Sequence, residues 1–157
     1  MRKEIESVND FILDGQFKNA PFGMDKTEFI ERFGKSEDYL TVSKKDTSIS
    51  LLKYGITEFY FAEPHNYEKL NGVMFQPMTF PSDKLKFEID LQWITNDLTY
   101  GEIKDILNRE GIEFQEKEDE IQQNIIETPS KVRFYFYDEE DKELEEWELN
   151  KFGRFKI

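Results

Sequence analysis

The sequence contains segments that match at an offset of about 74 residues, which predicts a fold of two similar units. Residues 24–33 match residues 98–107 at that offset. In both segments a residue that can cap a helix, Asp25 or Thr99, is followed three positions later by Glu, as in a capping box. Apolar residues then recur at helical spacing. Each segment therefore predicts a short helix that begins at its own capping box.

The two predicted helices cover residues 25–33 and 99–109. Gly34 and Gly111 lie near their C-terminal ends, where glycine commonly stops a helix. A third helix is predicted near the N-terminus, ending at Gly15. It rests on four apolar residues that share one helical face, which are Ile5, Val8, Phe11 and Ile12.

Two further pairs of segments match in the same order along the chain. Residues 57–61 match 132–136 at an offset of 75, and both alternate aromatic and polar residues as a strand does. Residues 70–75 match 144–149 at an offset of 74, and both read Leu-x-x-apolar-x-apolar. Each predicted helix is thus followed by a small antiparallel meander. Chance matches of this kind also arise in unrelated α+β chains.

The remaining predicted strands fill out each meander. Gly55 lies where a hairpin turn needs a positive φ angle. The segment 85–93 alternates over nine residues and is the clearest strand pattern in the chain. The other predicted strands are 38–43, 48–54 and 121–126.

These patterns predict an α+β fold in a single domain spanning residues 1–157, with repeat 1 at about 1–78 and repeat 2 at about 84–157. One small meander buries too little surface to be stable alone. Two of them can join edges into one curved antiparallel sheet with the helices on one face. The composition agrees, because Phe occurs 15 times and aromatic residues favour strands. The second face of the sheet is expected to be open.

In this pattern the chain resembles the β-lactamase-inhibitor-protein-like fold, which the small outer-membrane assembly lipoproteins share. The resemblance covers residues 20–76 and, more weakly, 94–149. It implies a scaffold of tandem helix and strand units that binds other proteins, and it also brings the chain close to bacterial immunity proteins, which neutralise a toxin. The chain departs from the exported members because it has no cysteine for a lipid anchor or a disulfide. The matching segments are 23–29, 33–35, 52–55, 59–61 and 70–73.

The net charge of −13 narrows the choice of partner. Such a field repels nucleic acid phosphates and disfavours anionic membranes. It attracts and steers a basic protein partner instead. We expect no nucleic acid partner and no membrane partner, although a mimic of nucleic acid with regularly spaced carboxylates is a further possibility. The sequence leaves the oligomeric state open.

The residue types present exclude several kinds of chemistry. The chain has no cysteine and a single histidine, so thiolate sites, disulfides and histidine-rich metal sites are ruled out. We expect no metal and no cofactor. The first residues show no signal peptide, and no apolar run is long enough to span a membrane, which predicts a cytoplasmic location. One alternative uses His65 with paired carboxylates, in a small hydrolase or a ligand-binding protein.

The candidate binding residues lie on the outward side of the predicted strands and in an acidic segment after them. If the Phe residues of these strands point inward, the alternating tyrosines point outward together with Glu58 and Arg133. Tyrosine and arginine are favoured at interfaces, while ordinary cross-strand pairing and a solvated turn are the simpler readings. The predicted partner-binding residues are Glu58, Tyr60, Arg133, Tyr135, Tyr137, Asp138, Glu139, Glu140 and Asp141.

The leading hypothesis is therefore a non-enzymatic protein-binding module, most concretely an immunity-type inhibitor that occludes a basic partner such as a toxin. An acidic, aromatic sheet face would cover the partner's active site. The small carboxylate-dependent hydrolase or ligand-binding protein is the alternative.

Overall fold

The computed structural model describes residues 4–62, 67–76, 87–95 and 97–156. The helices are α1 (Val8–Asp14), α2 (Lys26–Phe33) and α3 (Tyr100–Arg109), with a short 3-10 helix at Leu144–Glu146. The strands are β1 (Glu4–Ser7), β2 (Asp38–Thr41), β3 (Ile49–Tyr54), β4 (Thr57–Tyr60), β5 (Gly72–Phe75), β6 (Phe87–Asp90), β7 (Gln115–Glu118), β8 (Asn124–Glu127), β9 (Arg133–Phe136) and β10 (Leu149–Phe155).

Eight of these strands form one antiparallel sheet in the order β2-β3-β4-β5-β10-β9-β8-β7. The central pair joins the last strand of each half of the chain, with Phe75 opposite Phe152 and Gly72 opposite Phe155. A separate two-stranded parallel sheet consists of β1 and β6. The predicted α+β class with a large antiparallel sheet is confirmed.

Each half of the chain contains one helix followed by four strands of the large sheet, although α1 occurs only in the first half and the 3-10 helix only in the second. The backbone before each helix also bonds to the last part of each half in the same way. The amide of Leu70 donates to the carbonyl of Met24 at 2.9 Å, and the amide of Leu149 donates to that of Leu98 at 2.8 Å. Leu149 is thus the counterpart of Leu70. The predicted match of 144–149 with 70–75 is wrong in register, because Leu144 begins the 3-10 helix.

All three helices pack on one face of the large sheet, as predicted. Alternation along the strands turns one set of aromatic rings toward the helices, where they are buried. Burial of each such ring stabilises the fold by about 1.5–3 kcal/mol. The ring pairs that join helix to sheet are Phe11 with Phe75 at 5.3 Å, Phe29 with Phe59 at 4.8 Å and Tyr100 with Phe136 at 4.8 Å.

The N-terminal helix is shorter than predicted. It begins at Val8 because Ser7 caps it, accepting a hydrogen bond from the Asp10 amide at 3.0 Å. Ile5 belongs to β1 instead of the helix, since this segment pairs with β6. Gly15 ends the helix at φ 76°, as the sequence predicted.

The strand predicted at 85–93 is also shorter and differently placed. Only Phe87–Asp90 forms a strand, and its partner is β1 of the small sheet. Residues 91–93 turn away from the strand, and 85–86 lie outside the described residues. A regular alternation identified the strand, but it carried no information on which sheet the strand joins.

Only one of the two predicted capping boxes forms. Thr99 accepts from the Glu102 amide, while the Glu102 carboxylate accepts from the Thr99 amide. Asp25 makes no capping hydrogen bond to α2. Its carboxylate pairs with the Lys69 ammonium at 2.6 Å, which ties the start of α2 to the segment before β5.

The strand β7 was missed by the sequence analysis. Its four residues are all exposed and polar, so no apolar alternation marks them. They form a strand because β8 offers a free edge, with Gln115 opposite Glu127 and Lys117 opposite Ile125. The predicted strand at 121–126 is accordingly shifted to Asn124–Glu127.

Candidate binding face

The face of the large sheet opposite the three helices is called the open face here. Because side chains alternate along a strand, the residues next to the buried Phe59, Phe134 and Phe152 point to this face. Strand register brings outward residues of neighbouring strands side by side. The open face carries Glu58, Tyr60, Arg133, Tyr135, Gly153 and Phe155.

Glu58 and Tyr60 on β4 form one end of the candidate site. Glu58 is buried at 7% exposure and accepts a hydrogen bond from the Gln76 side chain at 2.6 Å. The Tyr60 ring packs edge-on against Phe155, with centroids 4.8 Å apart. Burial raises the pKa of Tyr60 to about 12, helped by the charge of Glu58 and a hydrogen bond to it. The phenol therefore stays neutral across the physiological range.

Arg133 on β9 is the centre of an ion-pair network at the other end. Its Nε donates to Glu127 at 2.7 Å. Its two terminal nitrogens donate to the two carboxylate oxygens of Glu120, each at 2.9 Å. Lys117 completes the network, with its ammonium 3.1 Å from Glu127. The whole guanidinium plane is thus held in one orientation.

The two carboxylates of this network differ in burial. The Glu127 side chain is 5% exposed and the Glu120 side chain 69% exposed. Hydrogen bonds from Arg133 lower the pKa of Glu120 to about 2. Burial by itself would raise the pKa of Glu127, but hydrogen bonds from Arg133 and Lys117 outweigh it and lower the pKa. The bond to Glu120, followed by the bond to Glu127, raises the pKa of Arg133. Both carboxylates are therefore ionised at neutral pH.

A groove of about 620 Å³ lies between this network and the middle of the sheet. Gly153 forms the floor of the groove and has no side chain to fill it. A Cβ atom there would come within 2.0 Å of the Val73 carbonyl oxygen. Phe155 forms its far wall and remains 38% exposed. The lining includes Glu120, Glu127, Arg133, Tyr135, Gly153 and Phe155.

The charge of the groove differs from the acidic face that the sequence predicted. Among the described residues, three cations and two carboxylates line it, and two further cations, Lys117 and Lys151, contact lining residues. The Lys151 ammonium is 5.3 Å from the centre of the Tyr135 ring, and Lys131 lies 3.7 Å from Glu127. The lining cations are Lys131, Arg133 and Arg154, and the lining carboxylates are Glu120 and Glu127.

The structure divides the nine predicted binding residues into three groups. Glu58 with Tyr60 and Arg133 with Tyr135 share the open face, but β5 and β10 separate the two pairs. Three strand spacings amount to about 14 Å. The remaining five residues lie beyond the end of β9 and are Tyr137, Asp138, Glu139, Glu140 and Asp141.

The acidic segment after β9 folds against its own loop and α3. The Trp147 indole donates to the carbonyls of Glu139 at 3.2 Å and Lys142 at 3.3 Å. Glu145 pairs with Lys104 of α3 at 2.8 Å, on the helix side of the sheet. Asp138, Glu140 and Asp141 stay exposed. None of these three residues lines the groove.

Sequence reasoning missed Glu120, Glu127, Gly153 and Phe155. The outward alternation that selected Arg133 and Tyr135 applies equally to Glu127 and Phe155 on neighbouring strands. Using it required the register of β8 and β10, which no local pattern supplied. Glu120 lies in the turn between β7 and β8 and could not be placed while β7 was unrecognised.

The described ranges were also searched for catalytic features. They contain no cluster of three histidine, aspartate or glutamate side chains arranged to hold a metal ion. His65 lies outside the described residues. No helix in the described ranges has the length and hydropathy needed to cross a membrane.

Comparison with known protein families, with curated proteins and with solved structures finds no significant match to this chain.

Proposed function

We propose that this chain is a protein-binding module, most concretely a cytoplasmic immunity-type inhibitor that occludes a basic protein such as a toxin. The observation that carries the proposal is the open face, where Tyr60, Tyr135, Phe155 and Arg133 lie on one surface of an eight-stranded sheet. Tyrosine and arginine are enriched among the few residues that dominate binding energy at protein interfaces. A rigid sheet presents them without the entropy cost of ordering a loop.

The distribution of charge supports a basic partner. The groove is slightly cationic, so the charge of −13 resides on the rest of the molecule. The exposed carboxylates of Asp138, Glu140 and Asp141 would meet basic residues around the partner's active site. Such a field accelerates association and is weakened by salt, because the screening length falls to about 8 Å at physiological ionic strength.

The geometry favours binding over the alternative of a carboxylate-dependent hydrolase. A general acid of that class needs a carboxyl group whose pKa is raised toward neutrality. In the groove, the pKa values of Glu120 and Glu127 are both lowered by hydrogen bonds from Arg133. These two carboxylates stabilise Arg133 and hold no proton to donate.

The test is a binding measurement with two matched variants. Proteins retained by the tagged chain at low salt are identified, and the most abundant basic one is purified and titrated calorimetrically. Tyr135→Ala is expected to weaken binding at least tenfold. Leu13→Ala is the control, since Leu13 is an exposed apolar residue of α1 on the opposite side of the sheet.

Two results would contradict the proposal. One is equal affinity of Tyr135→Ala and wild type, which would place the interface elsewhere. The other is an affinity that does not fall as salt rises from about 0.1 to 0.5 M, where the screening length drops below about 10 Å. Loss of a hydrolytic activity on replacing Glu127 would favour the alternative.

A further inference from the structure

We infer that the groove on the open face receives an aspartate or glutamate side chain from the partner's surface, which binds Arg133 in place of Glu120. This inference rests on the proposed function and names the chemical group of the partner that the open face would recognise, which is a side-chain carboxylate. In the unbound chain, Glu120 occupies the position on Arg133 that the partner's carboxylate takes in the complex.

The first step in the argument is the unequal burial of the two acids on Arg133. Glu127 is 5% exposed and also accepts from Lys117, so its pair with the arginine Nε is a fixed part of the fold. Glu120 is 69% exposed, whereas Arg133 is 18% exposed, so the carboxylate can turn to solvent while the guanidinium stays in the sheet. Of the two acids, Glu120 is therefore the one that another carboxylate can replace, while Glu127 keeps the guanidinium in place.

The second step is the shape of the bond that would be exchanged. Both terminal nitrogens of Arg133 donate to one carboxylate, at 2.9 Å each. This two-pronged geometry matches the fixed fork of arginine and is more specific than a single contact. Glu120 thus shows which ligand the site accepts.

The third step is the local sign of the charge. The described lining of the groove has one more cation than carboxylates, although the whole chain carries −13. A lysine or arginine of the partner would face Lys117, Lys131 and Lys151. A carboxylate that displaces Glu120 meets the same cations and adds no repulsion once Glu120 has moved to solvent.

The fourth step concerns the source of the carboxylate. Ile121 is 72% exposed beside Glu120, and Phe155 is 38% exposed across the groove. A partner that covers these apolar groups presents a folded surface to the sheet, and a surface side chain then points into the groove. A chain terminus would have to lie along the sheet to reach Arg133. The geometry therefore favours an aspartate or glutamate side chain.

The test uses short peptides whose binding is followed by NMR at the side-chain Nε–H of Arg133. The probes are acetyl-Phe-Glu-Phe-amide, its glutamine counterpart, and the glutamine peptide with a free C-terminal carboxylate. The proteins are wild type, Glu120→Gln, and Glu118→Gln. The last removes a carboxylate from the same hairpin without touching the Arg133 hydrogen bonds.

The expected result is selective. Glu120→Gln binds the glutamate peptide at least tenfold more tightly than wild type does, and it gains no affinity for the glutamine amide. Glu118→Gln behaves as wild type. Adding Arg133→Lys to Glu120→Gln retains the charge but loses the fork, and the glutamate peptide then binds at least fivefold more weakly.

Three outcomes would overturn the inference. The glutamine amide could bind Glu120→Gln as tightly as the glutamate peptide. Glu118→Gln could show the same gain, which would indicate net charge alone. The peptide with a free C-terminal carboxylate could bind more tightly than the glutamate peptide, which would show that the site prefers a chain terminus to a side chain.

This assay needs no physiological partner, so it is separable from the test of the proposed function. Selective binding of the glutamate peptide, combined with a protein partner whose affinity Tyr135→Ala leaves unchanged, would keep the carboxylate site and refute the proposed interface. A protein partner whose binding depends on Tyr135, combined with no peptide selectivity, would refute only the inference on Arg133.

Discussion

Gly153 lies opposite Met74 across the strand pair β5–β10, so close that no side chain fits between them. A Cβ atom on Gly153 would come within 2.0 Å of the Val73 carbonyl oxygen and 2.5 Å of the Met74 sulfur. The two halves of the sheet meet at this pair. Glycine at residue 153 is therefore required both for the joint between the halves and for the floor of the groove.

Replacement of Gly153 by alanine is expected to destabilise the fold by about 1–3 kcal/mol, as overpacking does in a well-packed core. Urea unfolding measures this loss. Gly111→Ala is the comparison, because Gly111 has φ 70° but open space around its Cβ position. It costs only the left-handed conformation, about 1 kcal/mol. Equal costs for the two variants would show that the close approach at Gly153 relaxes freely.

Two lysines lie near the start of α2 and differ in burial. Lys26 is the first residue of the helix and is buried, whereas Lys69 pairs with Asp25 and is partly exposed. The Lys26 ammonium is buried and donates to the carbonyls of Ile49 at 2.9 Å and Tyr67 at 3.0 Å. Lys26→Met leaves both carbonyls without this donor and is expected to cost about 1–3 kcal/mol. Lys69→Met removes an exposed pair and costs about 0–1 kcal/mol. Thermal unfolding of both variants checks the order, and the reverse order would contradict it.

The single capping box predicts unequal effects of two equivalent substitutions. Thr99→Ala removes a side chain that caps α3 and is expected to cost about 1 kcal/mol. Asp25→Ala removes only the exposed pair with Lys69 and a charge near the start of α2, about 0.3–1 kcal/mol. Chemical denaturation of the two variants measures the loss in the free energy of unfolding for each. A larger loss for Asp25→Ala would mean that its carboxylate caps α2 in solution.

Ionisation of Tyr60 is expected to lower the stability of the fold at high pH. Its pKa is raised from 10.0 to about 12 by burial and by Glu58, so folding favours the neutral phenol. This contribution is complete below the ordinary pKa and is lost as pH rises from about 10 to about 12. Tyr60→Phe should therefore lose less stability over that interval than wild type does. Tyr137→Phe, at an exposed tyrosine, should follow wild type, and a flattened profile there would point to a different group.

Loss of the ion pairs of Glu127 is expected to make the fold less stable at acidic pH. Its pKa is lowered in the folded chain, since the bonds from Arg133 and Lys117 overcome the effect of burial. The contribution is present above the ordinary glutamate pKa of about 4.3 and is lost as pH falls below it. Glu127→Gln should be less stable than wild type at neutral pH and lose less on acidification. Glu118→Gln serves as the control in the same urea titrations, and parallel profiles for both variants would exclude this role.

Local sequence patterns were sufficient for α2, α3 and the inward faces of β4 and β9. Glycine stops and the spacing of apolar residues predicted α2 and α3, and alternation predicted that Phe59 and Phe134 point inward. These features depend on residues near each other in sequence. The Asp25 cap failed because Lys69, a distant residue, competes for its carboxylate.

The candidate site was less accessible to sequence reasoning because it depends on register. Arg133 meets Glu120 across a hairpin whose first strand, β7, has no apolar residue to reveal it. The groove also requires Gly153 to lie beside Arg133, which follows only from the pairing of β10 with β9. The cations of the groove depend on register in the same way, since Lys131, Arg133 and Arg154 come from three separate segments.

The pairing of β5 with β10 has a consequence for synthesis on the ribosome. Phe152 follows its partner Phe75 by 77 residues. At about 5–20 residues per second, β5 waits about 4–15 s for that partner to be made. During this time the strand Gly72–Phe75, fully buried in the finished fold, presents an unpaired apolar edge. The nascent chain is then most exposed to pairing with a neighbouring copy, and chaperone demand should peak before the last strand emerges.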